Sequence, residues 1–194
     1  MHKLASLLLT ILLLSTTVGV LAAPIDVPVL SPEQLDNYQF PSKPERPAVV
    51  DDLSFGQLTL LEQQRAEMQA LFSRRLGVMS LKNTQADLSL YQQLVDRRLI
   101  RPDQITQWQA LGVVFGDLLV REFGLHWVSY EDAEGSSKAL RWRTTDNFIF
   151  PVTVFSKRVQ FNEKIDVKAI YQEIASEIER FKRLSLNSPP KAFD

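Results

Sequence analysis

Apolar residues recur at helical spacing in three early stretches, then alternate, then return to helical spacing near the end of the chain. Over 54–76, Leu58, Leu61, Met68, Leu71 and Phe72 fall mostly on one face of a helix, and Gly77 stops it. Its start is marked twice, by Ser54-x-x-Gln57 and by Thr59-x-x-Glu62, both capping-box patterns. A second helix starts near Thr84, with Thr84-x-x-Asp87 as its cap. It buries Leu88, Tyr91, Leu94 and Val95, and Arg97 and Arg98 sit in its last turn, where positive charge suits the dipole. Pro102 opens a third helix at its first position, with Asp103 beside it. Trp108, Leu111, Phe115, Leu118, Leu119 and Phe123 form its apolar face, and Gly124 ends it. Gly112 and Gly116 lie one turn apart in this helix, each costing about 1 kcal/mol relative to alanine. The pair predicts another element packed close against that edge.

The stretch 108–158 organises the rest of the chain. Three strand-like runs follow the third helix, at 126–131, 138–143 and 147–155. A polar turn separates the first two, and Gly135 can supply its positive φ. In the second run Leu140 and Trp142 share one face, while Arg141 and Arg143 share the other. In the third, Phe148, Phe150, Val152 and Val154 share a face, and Pro151 points to an edge strand or a bulge. Asp166 caps a last helix, Ile165 and Ile170 are placed for a hydrophobic staple across that cap, and Val167, Ile170, Ile174, Ile178, Phe181 and Leu184 make its stripe. These elements predict an α+β fold: N-terminal helices, a small antiparallel β-meander of three or more strands and a C-terminal amphipathic helix around one core.

The ends of the chain change the picture. Met1-His2-Lys3 and the mainly apolar run 4–21, followed by Ala22-Ala23, have the form of a secretory signal peptide over 1–22. An uncleaved membrane-tethering helix is the rival reading, since a run of about 18 apolar residues approaches spanning length. Residues 23–53 hold six of the ten prolines and read as an extended segment. A single α+β domain then occupies 54–186, and 187–194 form a tail. The expected location is periplasmic, with no stable membrane span once the signal is cleaved.

The 194 residues are 45% hydrophobic and 23% charged, with a net charge of -1. That composition is globular and argues against a dedicated nucleic-acid binder. With no cysteine, disulfides, thiolate catalysis and cysteine metal sites are closed, so the domain relies on its core. His126 is the one histidine after the signal, too few for a triad or a multi-histidine metal site. Glu131, Asp132 and Glu134 do not match a calcium-loop spacing. Asp117 and Glu122, five residues apart, do not share a helix face. No catalytic residue, metal site or cofactor is therefore assigned. The candidate binding residues are Arg141, Arg143, Lys157 and Arg158, a cationic set suited to carboxylate or phosphate, with Trp127 as an aromatic anchor. Trp127 fits the core as well.

Several spaced motifs run in order: Leu111-Gly112-Val113 with Gly116, Trp127-Val128 with Asp132 and Gly135, Ala139-Leu140, Phe150-Pro151-Val152-Thr153, Ser156-Lys157-Arg158 and Asp166-Val167. In these, residues 88–174 resemble a bacterial family of small exported proteins catalogued only as a domain of unknown function. The resemblance implies a Gram-negative envelope protein with an α+β domain, and it carries over no catalytic residues. The expected function is a non-enzymatic binding module whose partner is an envelope protein or an anionic envelope component. The alternatives are a carboxylate-dependent hydrolase of an envelope polymer and an inhibitor or immunity-like protein with one dedicated partner.

Overall fold

The computed structural model describes residues 47–187, with side chains through 184. The expected signal peptide, most of the 23–53 segment and residues 188–194 lie outside the described residues. In chain order the elements are β1 (Val49–Asp51), α1 (Phe55–Leu76), α2 (Leu88–Asp96), α3 (Ile105–Phe123), β2 (His126–Asp132), β3 (Gly135–Arg141), β4 (Phe148–Ile149), α4 (Val154–Gln160) and α5 (Val167–Asn187). Short 3-10 turns at Gln85–Asp87 and Pro151–Thr153 lead into α2 and α4. The strands form one antiparallel sheet in the order β1-β2-β3-β4, so the α+β class holds.

α3 is buried on nearly all sides, from Trp108 through Leu119, as expected of a helix that is apolar all round. The rings of Phe72, Tyr91, Phe115 and Phe155 meet in sequence, tilted or edge-to-face, at 5.6, 6.5 and 5.3 Å between centroids, joining α1, α2, α3 and α4. The glycine edge is filled as its pattern predicts. A Cβ on Gly112 would stand 2.7 Å from the Val152 carbonyl oxygen and press on that of Pro151. One on Gly116 would meet the Trp127 ring at 2.6 Å and the Pro151 ring at 2.9 Å.

That packing explains where the strand expectation for 147–155 fails. Only Phe148 and Ile149 pair, opposite Arg141 and Leu140. Pro151 has no N–H to give a ladder, and its fixed φ suits the first position of a helical turn. The chain therefore coils onto α3 at Pro151 and continues as α4, so Lys157 and Arg158 lie on a helix rather than just past a strand. Pro102 likewise sits in a turn, and α3 begins three residues later.

The caps fall mostly as read. Ser54 and Gln57 exchange both capping-box bonds, at 3.3 and 2.9 Å, and the Asp166 carboxylate accepts from the Ala169 N–H at 2.9 Å. Thr59 is inside α1 instead, its hydroxyl donating to the Phe55 carbonyl. Thr84 makes no cap bond; Asp87 is buried and accepts the N–H groups of Lys82 and Asn83 at 2.8 and 2.6 Å. Gly77 and Gly124 end α1 and α3 in the left-handed conformation.

Glu122, in the last turn of α3, ties three elements together. Its carboxylate accepts from the Gln85 N–H at 3.1 Å, the Gln85 side-chain amide at 2.9 Å and the Tyr171 hydroxyl at 3.1 Å. The Gln85 side-chain bond does most to hold this carboxyl below its usual range, with burial opposing. A lowered folded pKa contributes stability above the unfolded carboxyl range, about 4.3, and loses it as pH falls through the folded value. Glu122→Gln should therefore lower the urea midpoint at neutral pH, with the difference from wild type closing in acid. A gap that stays constant from pH 7 to pH 3 would refute the linkage. Tyr171 acts at the other limit: burial first, then its bond to Glu122, pushes it up to about 12. Its contribution is complete below about 10 and fades as pH rises through the folded value.

Candidate functional site

The residues singled out from the sequence occupy different settings. Trp127 lies on β2 with its ring against Gly116, and its indole N–H donates to Asp117 at 3.0 Å. The same carboxylate receives two parallel bonds from Arg65 of α1, at 2.7 and 2.8 Å, and Arg65 also reaches Glu62 at 2.7 Å. Its bond to Asp117 does most to raise the Arg65 pKa further above its ordinary value. Asp117 thus joins α1, α3 and β2, a role that helix periodicity does not reveal.

Arg141, the last residue of β3, donates to the Thr145 and Thr144 carbonyls at 2.7 and 3.1 Å and lies 3.7 Å from Asp146. Arg143 follows the strand in a left-handed conformation (φ 53°), with its guanidinium 4.6 Å above the Trp142 ring. It opens on a hollow shared with Phe123, Gly124 and Lys182. On α4, Arg158 donates to the Val154 carbonyl at 2.8 Å and faces Glu173 at 3.7 Å. Lys157 is exposed and opens on a separate hollow of about 430 Å³ beside Tyr130, Glu134 and Phe150.

A third basic surface was not found from the sequence. Arg74 and Arg75, in the last turn of α1, meet Arg98 and Arg101, from the connection between α2 and α3, around a hollow of about 590 Å³. Leu71 and Leu99 contribute apolar surface, and Gln104 and Gln107 contribute amides. Arg101 pairs with Asp103 at 3.2 Å. Its backbone is fixed on both sides, the N–H donating to Gln104 at 2.8 Å and the carbonyl accepting from the Trp108 indole at 3.0 Å. Among the described residues, no carboxylate or carbonyl engages the guanidinium groups of Arg74, Arg75 or Arg98.

Arg98 is also strained. The Leu99 N–H donates to the Leu94 carbonyl at 2.9 Å and the Arg98 N–H to that of Val95 at 3.0 Å, the paired bonds of a Schellman end. The residue at that position is left-handed and usually glycine or asparagine, as Gly77 is after α1, Gly124 after α3 and Asn162 after α4. Arg98 takes it at φ 50°, which costs a residue bearing Cβ roughly 1 kcal/mol. The missing glycine after α2 was the available sequence signal. The meeting of Arg98 with Arg74 and Arg75 was not, because it depends on how α1 and α2 pack.

Guanidinium groups stay charged and grip carboxylate, phosphate or sulfonate through paired N–H bonds. Among the described residues, no three His, Cys, Asp or Glu side chains are placed to hold a metal, and no helix is long and apolar enough to cross a membrane.

No curated protein matches the chain. A crystal structure from Bacteroides thetaiotaomicron VPI-5482, at 1.50 Å resolution, is similar at 18% identity with a TM-score of 0.61. The match covers 68% of this chain and 48% of that one, so the likeness spans about half the other protein's length and is one of fold. Residues 87–171, from the turn before α2 to the first residues of α5, match the model of a family described as a domain of unknown function (DUF3806).

Proposed function

We propose that this chain is an exported, periplasmic module of a Gram-negative envelope that binds an anionic ligand without transforming it. The observation that carries the reading is the hollow at the ends of α1 and α2, where three arginines have no anionic partner among the described residues. A guanidinium set of that kind is matched by carboxylate or phosphate. The signal-like run over 1–22 supports export. Asp117 and Glu122, the carboxylates weighed for acid–base chemistry, are each held by three donors that join elements of the fold, which favours binding over hydrolysis. Of the first basic set, Arg143 and Lys157 serve in this reading as secondary contacts.

Titration of the purified protein with inorganic tripolyphosphate tests it. Saturable binding is expected at low salt, weakening as salt screens the exposed charges. The triple variant Arg74→Gln, Arg75→Gln, Arg98→Gln should bind at least tenfold more weakly while keeping its far-ultraviolet dichroism. No saturable binding at low salt, or equal binding by the folded triple variant, would overturn the reading.

A further inference from the structure

We propose that the arginine hollow is a two-sided clamp for one ligand that carries two separate anionic groups. Arg74 and Arg75 hold the first group, and Arg98 and Arg101 hold the second. The inference rests on the anion-binding reading and adds the number and placement of the charges.

Four observations carry it. The arginines come in two pairs from two segments, with Leu71, Leu99 and the Gln107 amide available to whatever joins the anionic groups. At about 590 Å³ the hollow suits a small organic molecule better than a lone inorganic ion, since pockets for such molecules measure roughly 300–1,000 Å³.

The guanidinium groups are also not needed as helix caps. In α1 the Ser73 and Phe72 carbonyls accept from the Gly77 and Val78 N–H groups, and in α2 the Gln93, Val95 and Leu94 carbonyls accept from the Arg97, Arg98 and Leu99 N–H groups, so backbone rather than guanidinium closes both ends. The dipoles of both helices favour positive charge at these ends, and the guanidinium N–H groups, which no carbonyl takes up, remain open to a ligand.

Finally, Arg98 holds its charge at the rim from a backbone position that glycine would occupy without strain. Arg143 has the same left-handed backbone, but its guanidinium gains the Trp142 ring in return. Arg98 has no such contact among the described residues. Beyond the favourable helix dipole, nothing among the described residues offsets this strain, which fits a residue that serves a ligand.

The test compares probes of equal charge on the whole purified protein by calorimetry at fixed ionic strength. Sulfate carries two charges on one group, whereas ethanedisulfonate, propanedisulfonate and butanedisulfonate carry them on two. The best disulfonate should bind about 10²-fold tighter than sulfate, because the second group binds at the effective concentration set by the first. Arg74→Gln with Arg75→Gln, or Arg98→Gln with Arg101→Gln, should each reduce the disulfonate to the affinity of sulfate.

Arg98→Gly should raise the urea midpoint and weaken the disulfonate at least tenfold. A merely structural arginine would not give that opposed pair of changes. If sulfate and every disulfonate bind equally, the clamp fails and the anion-binding reading stands. If none binds, the clamp fails, and the tripolyphosphate titration decides whether the anion-binding reading falls with it. A variant Arg98→Gly that keeps full disulfonate affinity would also overturn the clamp.

Vesicles identify the source of the ligand. At matched surface charge, preference for cardiolipin, with two phosphates in one headgroup, over phosphatidylglycerol supports a clamp on a lipid. Capture by neither, with the disulfonate preference intact, supports a clamp on a soluble ligand.

Discussion

Gly112→Ala is expected to lower the unfolding free energy by about 3 kcal/mol, the upper end of the usual overpacking range, read as a fall in the urea midpoint. In an ordinary helix the same change would gain about 1 kcal/mol from propensity, so the sign is set by what stands beside the site. The added methyl would meet the carbonyl oxygens of Pro151 and Val152 and the carbonyl carbon of Val152 at 2.9 Å. These are backbone atoms of a turn whose Pro151 is buried, so no side chain can swing aside. α3 cannot withdraw either, because its other faces are buried as well. Gly116→Ala should lose less. Its methyl would press on the Trp127 ring, a side chain that can tilt at the expense of its bond to Asp117. Gly56 in α1 supplies the control: an added methyl there would have nothing within 4 Å, and its replacement by alanine should stabilise. An unchanged or raised midpoint in Gly112→Ala would mean that the Pro151 turn lifts away at little expense.

Asp117→Ala is the second large effect, a loss of about 2–3 kcal/mol. The range for breaking a fully buried pair is higher, about 3–5 kcal/mol, but Arg65 retains 27% of its side-chain exposure and Asp117 15%, so water compensates in part. Removing the carboxylate leaves the Arg65 fork without its main partner and the Trp127 indole N–H without an acceptor. Because one group satisfies both, the losses should not add. In a cycle with Arg65→Met, the double variant should be more stable than the sum of the single losses by about 1–3 kcal/mol. Strict additivity would show that Asp117 and Arg65 merely lie close.

What the sequence made legible follows from the range of each interaction. The Ser54–Gln57 box, the Asp166 cap, and Gly77 and Gly124 as stops are contacts within a few residues, and local pattern finds them. Gly112 and Gly116 could be read as a close edge because two helix-weakening residues one turn apart need a reason from outside the helix. The run 147–155 misled because the alternation of Phe148, Phe150, Val152 and Val154 is real, yet Pro151 withholds a ladder donor in its middle. The pattern carried the burial but not the hydrogen bonding. β1 has only three residues, and its partner stretch at Ser129–Glu131 lies far along the chain, so no periodicity could reveal it. Asp117 is a structural hub only once α1 and Trp127 arrive, and helix spacing alone cannot rank it above any surface acid. For the arginine hollow, a net charge of -1 conceals a local cluster assembled from two distant segments.

β1 has a role beyond the few bonds that it makes. Without it, the backbone of Ser129–Glu131 would lie along an open sheet edge, the kind of template that recruits strands from other copies of the same chain. β1 closes that template with three residues and replaces it with an edge too short to pair extensively, one that carries the exposed Asp51 and is followed by the exposed Asp52. Losing β1 would leave the helical core intact and alter colloidal behaviour instead. The short strand thus bears on association between copies as well as on folding.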